Sequence, residues 1–340
     1  MLNGDDLQAR ILPFPEGVEA SRSRFLSHSA AAGFLHGVRH RHNLRVVTGT
    51  HVLRLDVAGR RVLGVTYHRG GHVHTAAAAV ETLLSAGAVN SPHLLQLSGI
   101  GPAERLQDLG IHPVHDLPGV GKSLQDHYAT RVAHRVVSGG SLNERAHGAR
   151  LLWEITAWLA RGTGVLSFSP AYVGAFLRSR PELDASDLQF VFSPASYSEG
   201  VTGKLQTYPG MTVGVWQMRP HSRGWVRAQS ADPAVPPAIQ PNYLAEAADR
   251  QAAVDGLRWA RKLMASAALA PFRGEETTPG PVVQSDAEST VYHAIGTCRM
   301  GIGQGAVVGP DLRLRGIAGL RVVDASVMPA MVSANTNSQR

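Results

Sequence analysis

The chain has 340 residues, a formal net charge of +7, 44% hydrophobic residues and 17% charged residues. This balance excludes an intrinsically disordered chain, because disorder needs few apolar residues and dense charge. No run approaches the ~18 apolar residues of a membrane span, and residues 1–10 lack the apolar stretch of a signal peptide, so we expect a cytoplasmic location. The single cysteine, Cys298, excludes an internal disulfide framework and a multi-cysteine metal site. The length predicts two domains or one large one.

The positive charge is spread along the whole chain rather than concentrated in one segment. Its densest run holds Arg39, Arg41 and Arg45, which we interpret as a solvated turn before a strand. A nucleic-acid-binding chain usually gathers its basic residues on one helix or stripe. We therefore expect no nucleic-acid partner.

The first clear elements are strands. Apolar residues predict strands over 44–57, 61–68, 72–75 and 80–85, with glycine turns between the first three. The sequence predicts that they form a small antiparallel meander.

Two short helices are predicted next. Ser91 as N-cap, Pro92 at the first helical position and Gly99 after the last turn predict the first helix. The second helix is predicted from Pro102 to Gly110, and the stretch up to His127 is turn-rich and extended.

The middle of the chain predicts an antiparallel sheet with helices against it. Helical spacing covers 142–161 with Gly162 as a stop, and Asp249 is predicted to cap a second helix. Strands are predicted over 188–192, 211–218 and 225–229. A last strand is predicted over 320–324.

One glycine pattern imitates a dinucleotide fingerprint without its context. Residues 301–306 have the Gly-x-Gly-x-x-Ala spacing. The fingerprint, however, needs a strand before it and a helix after it. The Gly309-Pro310 pair opposes a helix there, so we assign no cofactor to this pattern.

Three further segments carry the chemistry. They are Gly87-Ala88-Val89-Asn90-Ser91-Pro92 running on to Pro102, Tyr292-His293-Ala294-Ile295-Gly296-Thr297 running on to Gly301, and Val322-Val323-Asp324-Ala325-Ser326 followed by Ser333-Ala334-Asn335-Thr336-Asn337. With these motifs the chain resembles the glucose–methanol–choline oxidoreductases, a family of FAD-dependent alcohol oxidases and dehydrogenases. Segments 117–127 and 219–224 resemble the family as well, so the resemblance covers nearly the whole chain.

The resemblance implies an FAD enzyme that oxidises an alcohol, passing hydride to flavin N5 and a proton to a histidine. His293 matches the family's catalytic histidine, and a neutral imidazole suits the proton because its pKa lies near working pH. Asn335 matches the second catalytic position, where an amide can hydrogen-bond the substrate oxygen. From spacing alone, a buried histidine that holds a turn is the favoured interpretation of His293, and Asn335 is equally explained as a turn residue.

The resemblance also implies the FAD contacts. The matching positions are Val52, Ala86, Gly87, Asp324, Ala325 and Thr336, and no metal is implied. Small residues at a strand end let the backbone approach a dinucleotide closely. Ordinary core packing is the alternative for Val52 and Ala325.

The family's opening strand, Gly-x-Gly-x-x-Gly turn and helix are not found in this sequence. We therefore expect an α/β and α+β fold with an incomplete FAD-binding Rossmann-like domain, residues 1–130 and 293–340. An antiparallel-sheet substrate domain is expected at residues 131–292. The chain is interpreted as a truncated fragment of such an enzyme.

Two alternatives stay open. One is an FAD-containing hydroxynitrile-lyase-like enzyme, and the other is a catalytically inactive fragment. The expected ligand is a small alcohol. The sequence leaves open which alcohol, the electron acceptor (oxygen, quinone or another) and the oligomeric state.

Overall fold

The computed structural model describes residues 12–13, 31–167, 173–198, 204–280 and 293–333. The α-helices of these ranges are α1 (Gly87–Leu97), α2 (Ala103–Asp108), α3 (Leu142–Arg145), α4 (Gly148–Arg161) and α5 (Ala247–Met264). The strands are β1 (Leu12–Pro13), β2 (Thr50–Ala58), β3 (Arg61–Arg69), β4 (His72–Ala77), β5 (Thr82–Leu84), β6 (Ile100–Gly101), β7 (His115–Asp116), β8 (Lys122–Leu124), β9 (Ala129–Val136), β10 (Val173–Leu177), β11 (Leu188–Ser193), β12 (Gly210–Gln217), β13 (Gly224–Arg227), β14 (Ala238–Gln240), β15 (Arg273–Thr278) and β16 (Leu320–Val322). Among the described helices, none is long and apolar enough to span a bilayer.

The chain divides into two compact units. The first, which we call the sheet unit, contains Met1–Arg45, Tyr128–Met218 and Arg250–Ser289. The second, the site unit, contains Val46–His127, Arg219–Asp249 and Thr290–Arg340. The predicted assignment of FAD to one domain and of the substrate to the other stays a prediction.

The sheet unit is built on one antiparallel sheet with the strand order β1-β10-β11-β12-β9-β15. Its core joins Leu188 and Val213 of the sheet to Leu257, Ala260 and Met264 of α5. The spacing of these three α5 residues places them on one face of the helix, and that face is buried against the sheet. The predicted antiparallel sheet with packed helices is confirmed.

The site unit contains a meander, β2-β3-β4, and a separate parallel pair, β5 and β16. The prediction that the segment 80–85 continues the meander is wrong. Leu84 of β5 instead lies opposite Val322 of β16, and both side chains are buried. An apolar strand pattern predicts a strand but does not specify its partner, and here the partner lies far along the chain.

The helix α1 begins at Gly87, five residues before the predicted first helical residue, so Pro92 lies inside it. Proline has no N–H, so the carbonyl of Ala88 loses its partner in the helix. The hydroxyl of Thr297 donates to that carbonyl at 2.6 Å. The early start is therefore tolerated because a residue from another segment satisfies the exposed acceptor.

Three other predicted boundaries shift for similar reasons. The strand β2 starts at Thr50, opposite Arg69, which ends β3, so residues 44–49 have no partner in this meander. The predicted helix 142–161 is divided into α3 and α4, and the latter ends at Gly162 in the left-handed conformation. Asp249 lies within the first turn of α5, where its carboxylate accepts hydrogen bonds from the backbone N–H groups of His221 and Ser222.

Candidate active site

Four segments of the site unit are hydrogen-bonded to one another. They are the first turn of α1, residues 121–127, the segment 293–300 that begins with His293, and residues 324–327. The third segment, 293–300, is bonded on one side to Gln125 through an antiparallel bridge at Ile295. On its other side, Gly296 and Cys298 donate backbone N–H groups to the carbonyls of Ala325 and Ser326, at 3.3 and 2.9 Å. The segment with the predicted base therefore runs directly beside the predicted cofactor strand end.

Asp324 connects the end of β16 to the start of α1. Its Oδ2 accepts from the backbone N–H of Gly87 at 2.9 Å and from the hydroxyl of Ser91 at 2.5 Å. Its Oδ1 accepts from the N–H of Ser326 at 2.8 Å, and Ala86 donates its N–H to the Ser91 oxygen at 3.1 Å. The structure thus brings together Ala86, Gly87, Asp324 and Ala325, four of the residues that the sequence singled out.

His293 is half-buried and held at two points. Its backbone N–H donates to Oδ1 of Asp126 at 2.7 Å. Its ring Nδ1 lies 2.9 Å from Nδ1 of His127, with the two rings nearly perpendicular. Burial lowers the pKa of His293 below its ordinary value of 6.5, and the nearby charge of Asp126 partly opposes that shift.

Asp126 organises this part of the site. It accepts the backbone N–H groups of both His293 and His127, at 2.7 and 2.9 Å, on Oδ1. Its Oδ2 accepts the hydroxyl of Tyr243 at 2.5 Å. Sequence reasoning assigned no role to Asp126, His127 or Tyr243. The available signal was the segment 117–127, which resembles the family and contains an adjacent Asp and His.

The residues at the start of α1 fit a dinucleotide. Gly87 has a φ of +83°, and a Cβ placed there would meet nothing within 4 Å, so there is open space at the helix N-terminus. The first N–H groups of α1 are bonded to Asp324 and Ser91, and the absence of a Cβ at Gly87 lets a ligand approach the backbone closely here. Further along α1, Nε2 of His93 is buried without a hydrogen-bond partner in the described part of the chain.

Of the other predicted site residues, the structure describes only Val52. Val52 lies on β2 opposite Tyr67 and is 38% exposed. Next to Val52 in the chain is His51. Burial lowers the pKa of His93, and the nearby charge of His51 lowers it further. Asn335 and Thr336 lie outside the described residues.

Comparison with known proteins gives the family. Two models described as GMC oxidoreductase match, one over residues 22–129 and one over residues 220–339. Human mitochondrial choline dehydrogenase is 40% identical over 322 residues, which cover 91% of this chain and 54% of that protein. An alcohol dehydrogenase [acceptor] from Pseudomonas putida is 37% identical over 325 residues, covering 91% of this chain and 58% of the relative. The chain thus spans about half the length of the curated relatives it matches.

Solved structures agree on the fold. A formate oxidase from Aspergillus oryzae, whose structure concerns FAD modification, superposes with a TM-score of 0.82 at 27% identity, covering 88% of this chain and 59% of that chain. Pyridoxine 4-oxidase from Mesorbium loti gives a TM-score of 0.75 at 27% identity, covering 90% and 58%. The resemblance read from the sequence motifs is confirmed, and this chain belongs to the GMC oxidoreductase family.

Proposed function

We propose that the chain acts in FAD-dependent oxidation of an alcohol at a CH–OH group, with His293 as the base. The observation that carries the proposal is the placement of the His293 ring. The ring contacts His127, the backbone N–H of His293 is held by Asp126, and its segment is bonded to the Asp324–Ala325 strand end. A base on a segment that is bonded to the proposed cofactor-binding strand end is an arrangement that supports this reaction.

Oxidising an alcohol removes a proton from oxygen and a hydride from carbon. When bound, FAD supplies the hydride acceptor at flavin N5. In the proposal the neutral imidazole of His293 takes the hydroxyl proton, and the side-chain amide of Asn335 orients the alcohol oxygen. We assign the FAD contacts to Val52, Ala86, Gly87, Asp324, Ala325 and Thr336.

The substrate class follows from the relatives. Two of them are named for choline and for alcohols, so we propose choline and other small primary alcohols as candidates. The test is to incubate the purified chain with FAD and each alcohol without oxygen. We expect loss of the oxidised flavin absorbance together with formation of the aldehyde.

Two other results would contradict oxidation. Aldehyde release from a cyanohydrin with the flavin still oxidised would instead support the lyase alternative. Bound FAD that no alcohol in the panel reduces would support the inactive-fragment alternative. Each result separates one of these hypotheses from the others because flavin colour and product are recorded independently.

The pH dependence follows from the burial of His293. The base acts only when neutral, and burial lowers the pKa of His293 below 6.5. The acid limb of kcat/KM is therefore expected below pH 6.5, with activity retained at pH values where an exposed histidine is half protonated. A pH profile of kcat/KM between 4.5 and 8 on the FAD-loaded chain measures this; an acid limb above 6.5 would contradict it.

A further inference from the structure

His127 lies directly behind His293. It is fully buried, and its Nδ1 lies 2.9 Å from Nδ1 of His293. Two neutral imidazoles at this distance share one proton, because one nitrogen must donate and the other must accept. The protonation pattern of His293 is therefore set by which of the two rings donates.

The two arrangements differ in chemistry. If His127 donates, neutral His293 has its proton on Nε2 and has no free lone pair away from His127. If His293 donates from Nδ1, its Nε2 keeps a lone pair that can accept a proton. Only the second arrangement leaves a base.

The second arrangement also survives proton uptake. When His293 accepts a proton on Nε2, its Nδ1–H still points at the acceptor nitrogen of His127, and that bond strengthens as the ring becomes charged. In the first arrangement, a protonated His293 would set two N–H groups against each other. A lone-pair acceptor behind His293 is thus compatible with both states of a base.

Asp126 does not take this role. Its carboxylate accepts hydrogen bonds from the backbone N–H groups of His293 and His127 and from the hydroxyl of Tyr243. Its negative charge favours a positive His293 ring from nearby, while Nδ1 of that ring faces a ring nitrogen of His127. A neutral acceptor orients a histidine without the large rise in pKa that a directly bonded carboxylate causes.

We propose that His127 is a positioning residue: it accepts the Nδ1–H of His293, fixes that tautomer and leaves Nε2 of His293 as the base. The role of Nε2 as a base rests on the proposed function. The tautomer itself is a property of the chain that can be measured without flavin or substrate.

The experiment compares wild type with His127→Asn and His127→Leu. The Asn side chain can place an acceptor oxygen near the position of Nδ1, whereas Leu fills the space with a methyl group. Full-length chain labelled with ¹⁵N-histidine is examined by two-dimensional NMR, and His293→Gln identifies the His293 signals. We expect the Nδ1–H tautomer in wild type and His127→Asn, and its loss in His127→Leu.

Activity is the second readout. In the FAD-loaded chain, His127→Leu is expected to lower kcat about tenfold to a hundredfold, as for other partners that orient a functional imidazole, with KM little changed. His127→Asn should recover most of that loss. Rescue by the acceptor-bearing variant separates orientation from general damage to the fold.

The outcomes separate the two proposals. An Nε2–H tautomer in wild type, or the same tautomer in all three proteins, overturns the role of His127. The expected tautomers in a chain that oxidises no alcohol support the role of His127 in fixing the ring and overturn the proposed function. If His127→Leu does not fold, the wild-type tautomer together with His127→Asn still decides the question.

Discussion

Replacement of His293 by glutamine is expected to lower kcat for alcohol oxidation by about 10²- to 10⁴-fold, the usual contribution of a general base. The amide of Gln can still hydrogen-bond an alcohol, but it cannot accept its proton at working pH. FAD binding should persist, because His293 is placed beside the cofactor strand end rather than within it. Anaerobic stopped-flow reduction of the flavin measures the effect directly.

A matched control for His293→Gln is His72→Gln. His72 is an exposed residue of β4 in the same unit, so this change should leave flavin reduction unaffected. Unchanged reduction by alcohol in His293→Gln would remove His293 as the base and leave the histidine with a structural role only. Loss of FAD in the same variant would show that the residue holds the cofactor instead.

Replacement of Asp324 by alanine is expected to destabilise the site unit by about 2–4 kcal/mol. A hydrogen bond to a charged acceptor contributes about 1.5–3 kcal/mol. The expected total is less than three times that value, because Asp324 is only half-buried and water can replace part of what is lost. The change removes three acceptor bonds, from Gly87, Ser91 and Ser326. The end of β16 would then be released from α1. Urea denaturation followed by circular dichroism measures the loss.

The second effect of Asp324→Ala is on the cofactor. Because Ala86, Gly87 and Ala325 are placed by the same bonds, the affinity for FAD is expected to fall at least about tenfold, equal to about 1.4 kcal/mol. Asp108→Ala, at the exposed end of α2, is the control and should change stability by less than about 0.5 kcal/mol. Equal stability and equal FAD affinity in Asp324→Ala and the control would contradict the assignment of this strand end.

The local sequence pattern predicted correctly the strands whose alternation of apolar and polar residues is contained within a few consecutive residues. β3, β11 and β12 lie within a residue or two of their predicted spans. Gly162 ends α4 because its left-handed conformation favours glycine. Cys298, the single cysteine, is fully buried in the core of the site unit.

Long-range contacts decided the elements that local pattern placed wrongly. Ser91 has the residue type of an N-cap, yet its hydroxyl donates to Asp324, 233 positions away. Pro92 has the residue type of a first helical position, yet Thr297 replaces the bond that proline cannot make. A propensity describes what a residue does with its neighbours in sequence, and such partners lie outside that range.

The candidate site divides in the same way. The sequence by itself determined the family and predicted His293, Gly87 and Asp324 as site residues, because short motifs carry the residue types that the chemistry needs. Only the tertiary structure placed Asp126 and His127 against His293 and Tyr243 against Asp126. Their hydrogen bonds span separations of 117, 166 and 167 residues, and which partners meet across such distances depends on how the intervening chain folds.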